Sequence, residues 1–125
     1  MNETELKQAL SNFYGTEGYH RYSPMFPHVI LTDGAKFLAE EAGAYWLMDM
    51  ISSYLPSVPK AENFVVALLI VSPSCRAHFT LQDDIPARRI YGDQAITHTD
   101  FMLDSIKLYV CRAGGDWVVM LPSEY

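Results

Sequence analysis

Eight consecutive apolar residues, Phe64 to Val71, constrain this chain more than any other stretch. A run of that length, rich in β-branched side chains, fits one strand, and a strand that is apolar at every position is expected where both of its faces are covered. It falls far short of the roughly 20 residues a membrane helix needs. Phe64–Val71 is therefore predicted to be the central strand of a sheet.

The sequence around it sets the type of sheet. Ala77, Phe79 and Leu81 alternate with Arg76, His78, Thr80 and Gln82, the period of a strand with one wet face, and Ser72-Pro73-Ser74 is short enough for a hairpin. Asp83 to Pro86 reads as a turn, and Arg88 to Ile96 holds room for a further short strand. Ile106, Leu108 and Val110 alternate with Lys107, Tyr109 and Cys111, and Gly114-Gly115-Asp116 turns the chain into Trp117 to Leu121. The second half thus reads as an antiparallel sheet of four or five strands.

The first half is helical in period. Leu6, Ala9, Leu10 and Phe13 mark a short amphipathic helix that ends by Gly15. Gly15 to Pro27 is rich in glycine, proline and aromatic rings and reads as an ordered loop. His28 to Leu31 is a candidate short strand. Thr32 or Asp33 then caps one long helix running to about Leu55, before Pro56. On that helix Ala35, Leu38, Ala39, Ala42, Tyr45, Trp46 and Met50 share a broad apolar face, while Phe37, Leu47, Met48, Ile51 and Leu55 lie partly on the other side. The predicted architecture is a single α+β domain over residues 1–125, with the long helix lying across one face of the sheet and its tryptophan side inward.

Composition narrows function. Nine basic and fifteen acidic residues give a net charge of −6, which disfavours direct nucleic-acid binding. The start, Met-Asn-Glu-Thr-Glu, lacks the basic and apolar stretches of a secretory signal, so the expected compartment is the cytoplasm. Cys75 and Cys111 form no Cys-x-x-Cys pair and are predicted to be buried small side chains. His20, His28, His78 and His98 make no metal-ligand spacing, and His98-x-Asp100 is the nearest approach. No phosphate loop, dinucleotide turn or nucleophile elbow is present. No cofactor is expected.

Asp49 stands out, because projection on the long helix sets it among Ala42, Tyr45 and Trp46, where an unpaired carboxylate is costly. Its expected partner lies in the Tyr14–Tyr22 loop, where Tyr19, Arg21 and Tyr22 could pin the loop to the helix. Candidate binding residues are thus Tyr19, Arg21, Tyr22, Asp49, His98 and Asp100, with Asp49 open to either a structural or an acid role.

Several segments sampling nearly the whole chain carry a family resemblance: Phe13-Tyr-Gly-Thr-Glu, Leu31-Thr-Asp-Gly, Leu38-Ala-Glu-Glu-Ala-Gly-Ala-Tyr-Trp-Leu-Met-Asp, Thr99-Asp-Phe and Leu121-Pro-Ser-Glu-Tyr. The sequence resembles a small family of uncharacterised bacterial proteins, often carried by plasmids, phages and other mobile elements and classed as a domain of unknown function. The resemblance implies genomic company and transfers no catalytic residue. Two functions follow as expectations. One is a non-catalytic protein-binding protein of a mobile element, such as an anti-CRISPR-like inhibitor of a host defence nuclease, whose partner is a nucleic-acid-binding effector; the acidic balance and surplus aromatics fit it. The other is a small enzyme or ligand-binding domain with a site around Asp49 and the Tyr14–Tyr22 loop.

Overall fold

In the computed structural model, which describes residues 1–125, the central strand is β3 (Phe64–Val71), paired on one side with β4 (Ala77–Gln82) and on the other with β6 (Ser105–Ala113). With β1 (Tyr19–Ser23), β2 (Phe26–Thr32), β5 (Ile90–Ile96) and β7 (Asp116–Met120), the sheet has seven strands in the order β1-β2-β7-β6-β3-β4-β5. The expected four or five antiparallel strands become seven in a mixed sheet, because β2 pairs in parallel with β7 through Val29 and Trp117, Ile30 and Val118, and Leu31 and Val119. The predicted loop before Pro27 is instead a hairpin. Tyr22 stacks between Phe26 and Tyr45, ring centroids 6.2 Å away on each side, so the rings that suggested an ordered loop hold two strands.

The long helix is two helices. Thr32 caps α2 (Asp33–Glu41), its hydroxyl accepting from the Ala35 amide at 3.2 Å. Gly43 then takes φ +59° and the Ala44 amide donates back to the Ala39 carbonyl at 2.8 Å, a Schellman stop. The chain restarts as α3 (Tyr45–Tyr54), followed by a 3₁₀ turn at Leu55–Ser57. Because the break resets the helical phase, projection through Gly43 fails. Leu47, Met48, Ile51 and Leu55 face the core, Tyr45 and Asp49 are exposed, and Trp46 lies at the flank with its ring edge-on to Phe101 at 6.3 Å. The tryptophan side is not the buried one.

The short first helix, α1 (Glu3–Leu10), starts on a capping box between Asn2 and Glu5 and buries Leu6. Phe13 beyond it meets Phe37 of α2 at 5.3 Å. All three helices lie on one side of the sheet. A core of 25 buried residues joins them to Val65, Ala67 and Leu69 of β3, Phe79 and Leu81 of β4, Leu108 and Val110 of β6, and Trp117 and Val119 of β7. No helix is long and apolar enough to cross a membrane.

Candidate functional site: the uncovered face of the sheet

Two short motifs meet at the start of α2. Glu124, in the last turn of the chain, is buried, and its carboxylate accepts from the Thr32 hydroxyl at 2.6 Å, the Leu121 amide at 2.9 Å and the Gly34 amide at 3.0 Å. An anion at a helix start is also stabilised by the positive end of the helix dipole. A Cβ at residue 34 would come within 2.5 Å of Glu124 Oε1, so Thr-Asp-Gly and Leu-Pro-Ser-Glu-Tyr form one clasp that fixes the carboxyl terminus.

Asp33, beside it, gathers the preceding loop. One oxygen accepts from the Glu17 and Gly18 amides at 3.1 and 3.2 Å, and the other meets His20 Nε2 at 2.7 Å. The His20 contact first, then these amides, hold the Asp33 carboxyl below the usual carboxylate range. The pair is an oriented imidazole, a pattern the sequence did not reveal because the only signal in Asp33 was helix capping. Its neighbouring hydroxyl, Thr16, donates to the Gly18 carbonyl at 2.6 Å and accepts from the Asp33 amide at 3.0 Å, so it serves the loop.

The expected partnership across the hairpin exists in part. Tyr22 donates its hydroxyl to Asp49 and also lies 3.0 Å from the Tyr45 carbonyl. Burial, and then the Asp49 carboxylate, push the Tyr22 hydroxyl well above the ordinary tyrosine range. Asp49 itself is exposed, against the expectation of an apolar setting. Arg21 and Tyr19 belong to the other face of the hairpin: Arg21 donates to the Pro27 carbonyl at 2.8 Å and pairs with Asp116 at 3.3 Å, and Tyr19 is exposed. His98 and Asp100 are exposed in the β5–β6 connection, at the opposite end of the strand order, with Thr99 buried between them and accepting from the Phe101 amide at 3.1 Å. The six candidate residues therefore do not converge. No group of three or more His, Cys, Asp or Glu side chains is placed to hold a metal ion.

Cys75 is exposed in the β3–β4 turn at φ +64°, which corrects its expected burial, while Cys111 is half-buried and its thiol is pushed up by that burial.

What the sequence patterns did not isolate is a surface. The helices cover one face of the sheet and leave the other without a layer. Along that second face run Ile30, Val118 and Met120, then Tyr109 and Cys111, then Phe64, Val66, Leu68 and Ile70, placed side by side by the strand registers. Phe64, Tyr109 and the terminal Tyr125 form a three-ring cluster with centroids 5.0 to 5.5 Å apart. Ile70 is 54% exposed and Tyr125 77% exposed. Val66 and Val118 are nonetheless buried by their neighbours. The charges on this face are few and mostly matched: Arg21 with Asp116, His78 with Asp93, and Lys107 over the Tyr109 ring at 5.5 Å.

The profile of one protein family, described as a family of unknown function (DUF6876), matches residues 4–125. The chain belongs to that family. No curated protein and no solved structure matches it. Membership spans both the clasp and the uncovered face, and the family description adds no chemistry to either.

Proposed function

We propose that this DUF6876 member is a non-catalytic protein-binding protein whose working surface is the uncovered sheet face, and that a second copy of the chain covers that face. The observation that carries the proposal is the alternation within β3. Val65, Ala67 and Leu69 are buried under the helices, yet Phe64, Leu68 and Ile70, pointing the other way, are equally apolar and only partly covered. A strand apolar on both sides is what two-sided burial selects, and one chain supplies only one side.

Charge and area favour a second copy over an unlike partner. Two cations, Arg21 and Lys107, balance two carboxylates, Asp93 and Asp116, on this face of a chain whose net charge is −6. Like can therefore meet like there without net repulsion. Seven strands at ~4.8 Å spacing and ~20 Å length offer roughly 600 Å² in projection, more with side-chain relief, near the ~800 Å² per partner of a stable interface. Face-to-face pairing would leave both helical layers outward. The three helices hold six carboxylates and two lysines, a net −4, which complements a basic surface such as the nucleic-acid channel of a host defence nuclease.

Sedimentation equilibrium tests the pairing. The wild-type chain is expected at twice 14.2 kDa and Ile70→Asp, a change at an exposed position, at 14.2 kDa. A wild-type monomer at about 0.5 mM, a concentration that detects even weak pairing, overturns the proposal, as does an Ile70→Asp variant that still pairs.

A further inference from the structure

On the helical side of the sheet, away from the uncovered face, a groove of about 400 Å³ opens where the end of α3 and the 3₁₀ turn approach β2, β6 and β7. Leu55, Val58, Phe26 and Trp117 line it, and the guanidinium carbon of Arg112 lies over the Trp117 ring, 4.0 Å from its centre. Lys60 stands at the rim. We propose that this groove binds a small carboxylate carried on a flat apolar body, an aryl or arylalkanoic acid, with the anion on Arg112 and Lys60 and the body against Trp117 and Phe26.

The charge pattern carries the inference. Lys7, Lys36 and Arg21 lie within 4 Å of a carboxylate and the other six cations do not; of those six, Lys60 and Arg112 are the two that line the groove, and no acidic side chain lines it. Arg112 is held in place by donating Nε to the Glu62 carbonyl at 3.2 Å and Nη2 to the Pro59 carbonyl at 3.4 Å, and both acceptors are neutral. Its remaining N–H groups keep the planar fork that a carboxylate fits, already oriented by the indole. A cation held over an aromatic ring in a concave apolar setting, in a volume inside the range of small-molecule sites, is an arrangement for an anion with an apolar body.

The same setting selects a carboxylate over a phosphate. The groove lies at the carboxyl-terminal end of α3, where the helix dipole disfavours every anion and a doubly charged one about twice as much, and no helix amino terminus adds amides to receive one. Met25, 79% exposed at the tip of the β1–β2 hairpin, overhangs the groove with an adaptable thioether suited to an aromatic ligand.

The test is a ¹⁵N-resolved NMR titration of the full chain with 2-naphthoate. The Trp117 indole N–H is expected to shift with a saturating curve and a Kd below about 1 mM, while the Trp46 indole, packed against Phe101, stays in place. The neutral analogue 2-naphthalenemethanol is expected to bind at least about tenfold more weakly. Arg112→Gln should abolish saturation. Because that change also loosens the Pro59–Glu62 segment, Lys60→Gln at the exposed rim gives a second reading, a loss of about threefold or more with the spectrum otherwise unchanged. Equal binding of the alcohol, displacement of naphthoate by equimolar inorganic phosphate, tighter binding of the peptide Gly-Gly-Phe, or no saturation would each overturn the assignment.

Discussion

Leu69 and Ile70 are neighbours on β3, similar in size and chemistry, and opposite in fate. Leu69 is fully enclosed beneath the helices, while Ile70 stands half in solvent on the far side of the same sheet. The difference teaches that hydrophobic pattern records the surfaces a strand must cover, including surfaces that its own chain does not supply. The helical side is held by contacts within the chain, and the uncovered side is available to contacts between chains.

The strongest challenge to this contrast is truncation on each side. Leu69→Ala should lower unfolding stability by about 3 kcal/mol, because a methyl-lined cavity stays open in a closed core. Ile70→Ala, measured in dilute solution by urea denaturation, should cost less than about 1 kcal/mol. Comparable losses would mean that the two faces do not differ.

Next in size is the clasp. Glu124→Ala leaves the Thr32 hydroxyl and the Gly34 and Leu121 amides without their acceptor, and about 2 to 3 kcal/mol should be lost. Glu124→Gln keeps one acceptor oxygen for the Thr32 hydroxyl and the Leu121 amide but turns its NH₂ toward the Gly34 amide, so it should recover only part of that loss. The Tyr22–Asp49 contact should matter less. Tyr22→Phe and Asp49→Ala are each expected to lower stability by about 1 kcal/mol, and the double variant by less than the sum.

The smallest effect is a titration. Asp33 has a folded pKa below its unfolded one, so its contribution is fully present above about pH 4 and fades as pH falls through the lower folded value. Hydrogen exchange at the Glu17 and Gly18 amides should lose protection in that acid range, while amides of β3 keep theirs. Simultaneous loss in both places would show that the loop is not an independent unit.

Much of the sheet is readable in the residues. The period of two in Ala77 to Gln82 and Ile106 to Cys111, and the glycine turn before Trp117, correspond to β4, β6 and β7. What escaped has physical causes. The β2–β7 pairing joins Val29 to Trp117 across most of the chain, and no local pattern carries such a contact. The β1–β2 hairpin is fixed by rings and by Arg21 donating to Pro27, in a stretch whose prolines argue for loop. Gly43 was readable as a helix stop, and reading through it carried the phase error to Trp46 and Asp49. Phe64–Val71 is apolar at every position and so read as covered on both faces, whereas the chain's own helices cover one, because an apolar pattern does not say whether the second cover comes from the same chain.

The chain carries its own probes for that question. Cys111 lies on the uncovered face between Phe64 and Val118, and Cys75 sits exposed in a turn. Maleimide labelling of both thiols, followed by mass spectrometry between about 1 µM and 200 µM protein, a span chosen to cross a micromolar Kd, compares the two sites in one molecule. Cys111 labelling is expected to slow about tenfold relative to Cys75 as concentration rises, and Ile70→Asp to remove the slowing. A constant ratio across the range would contradict pairing through that face.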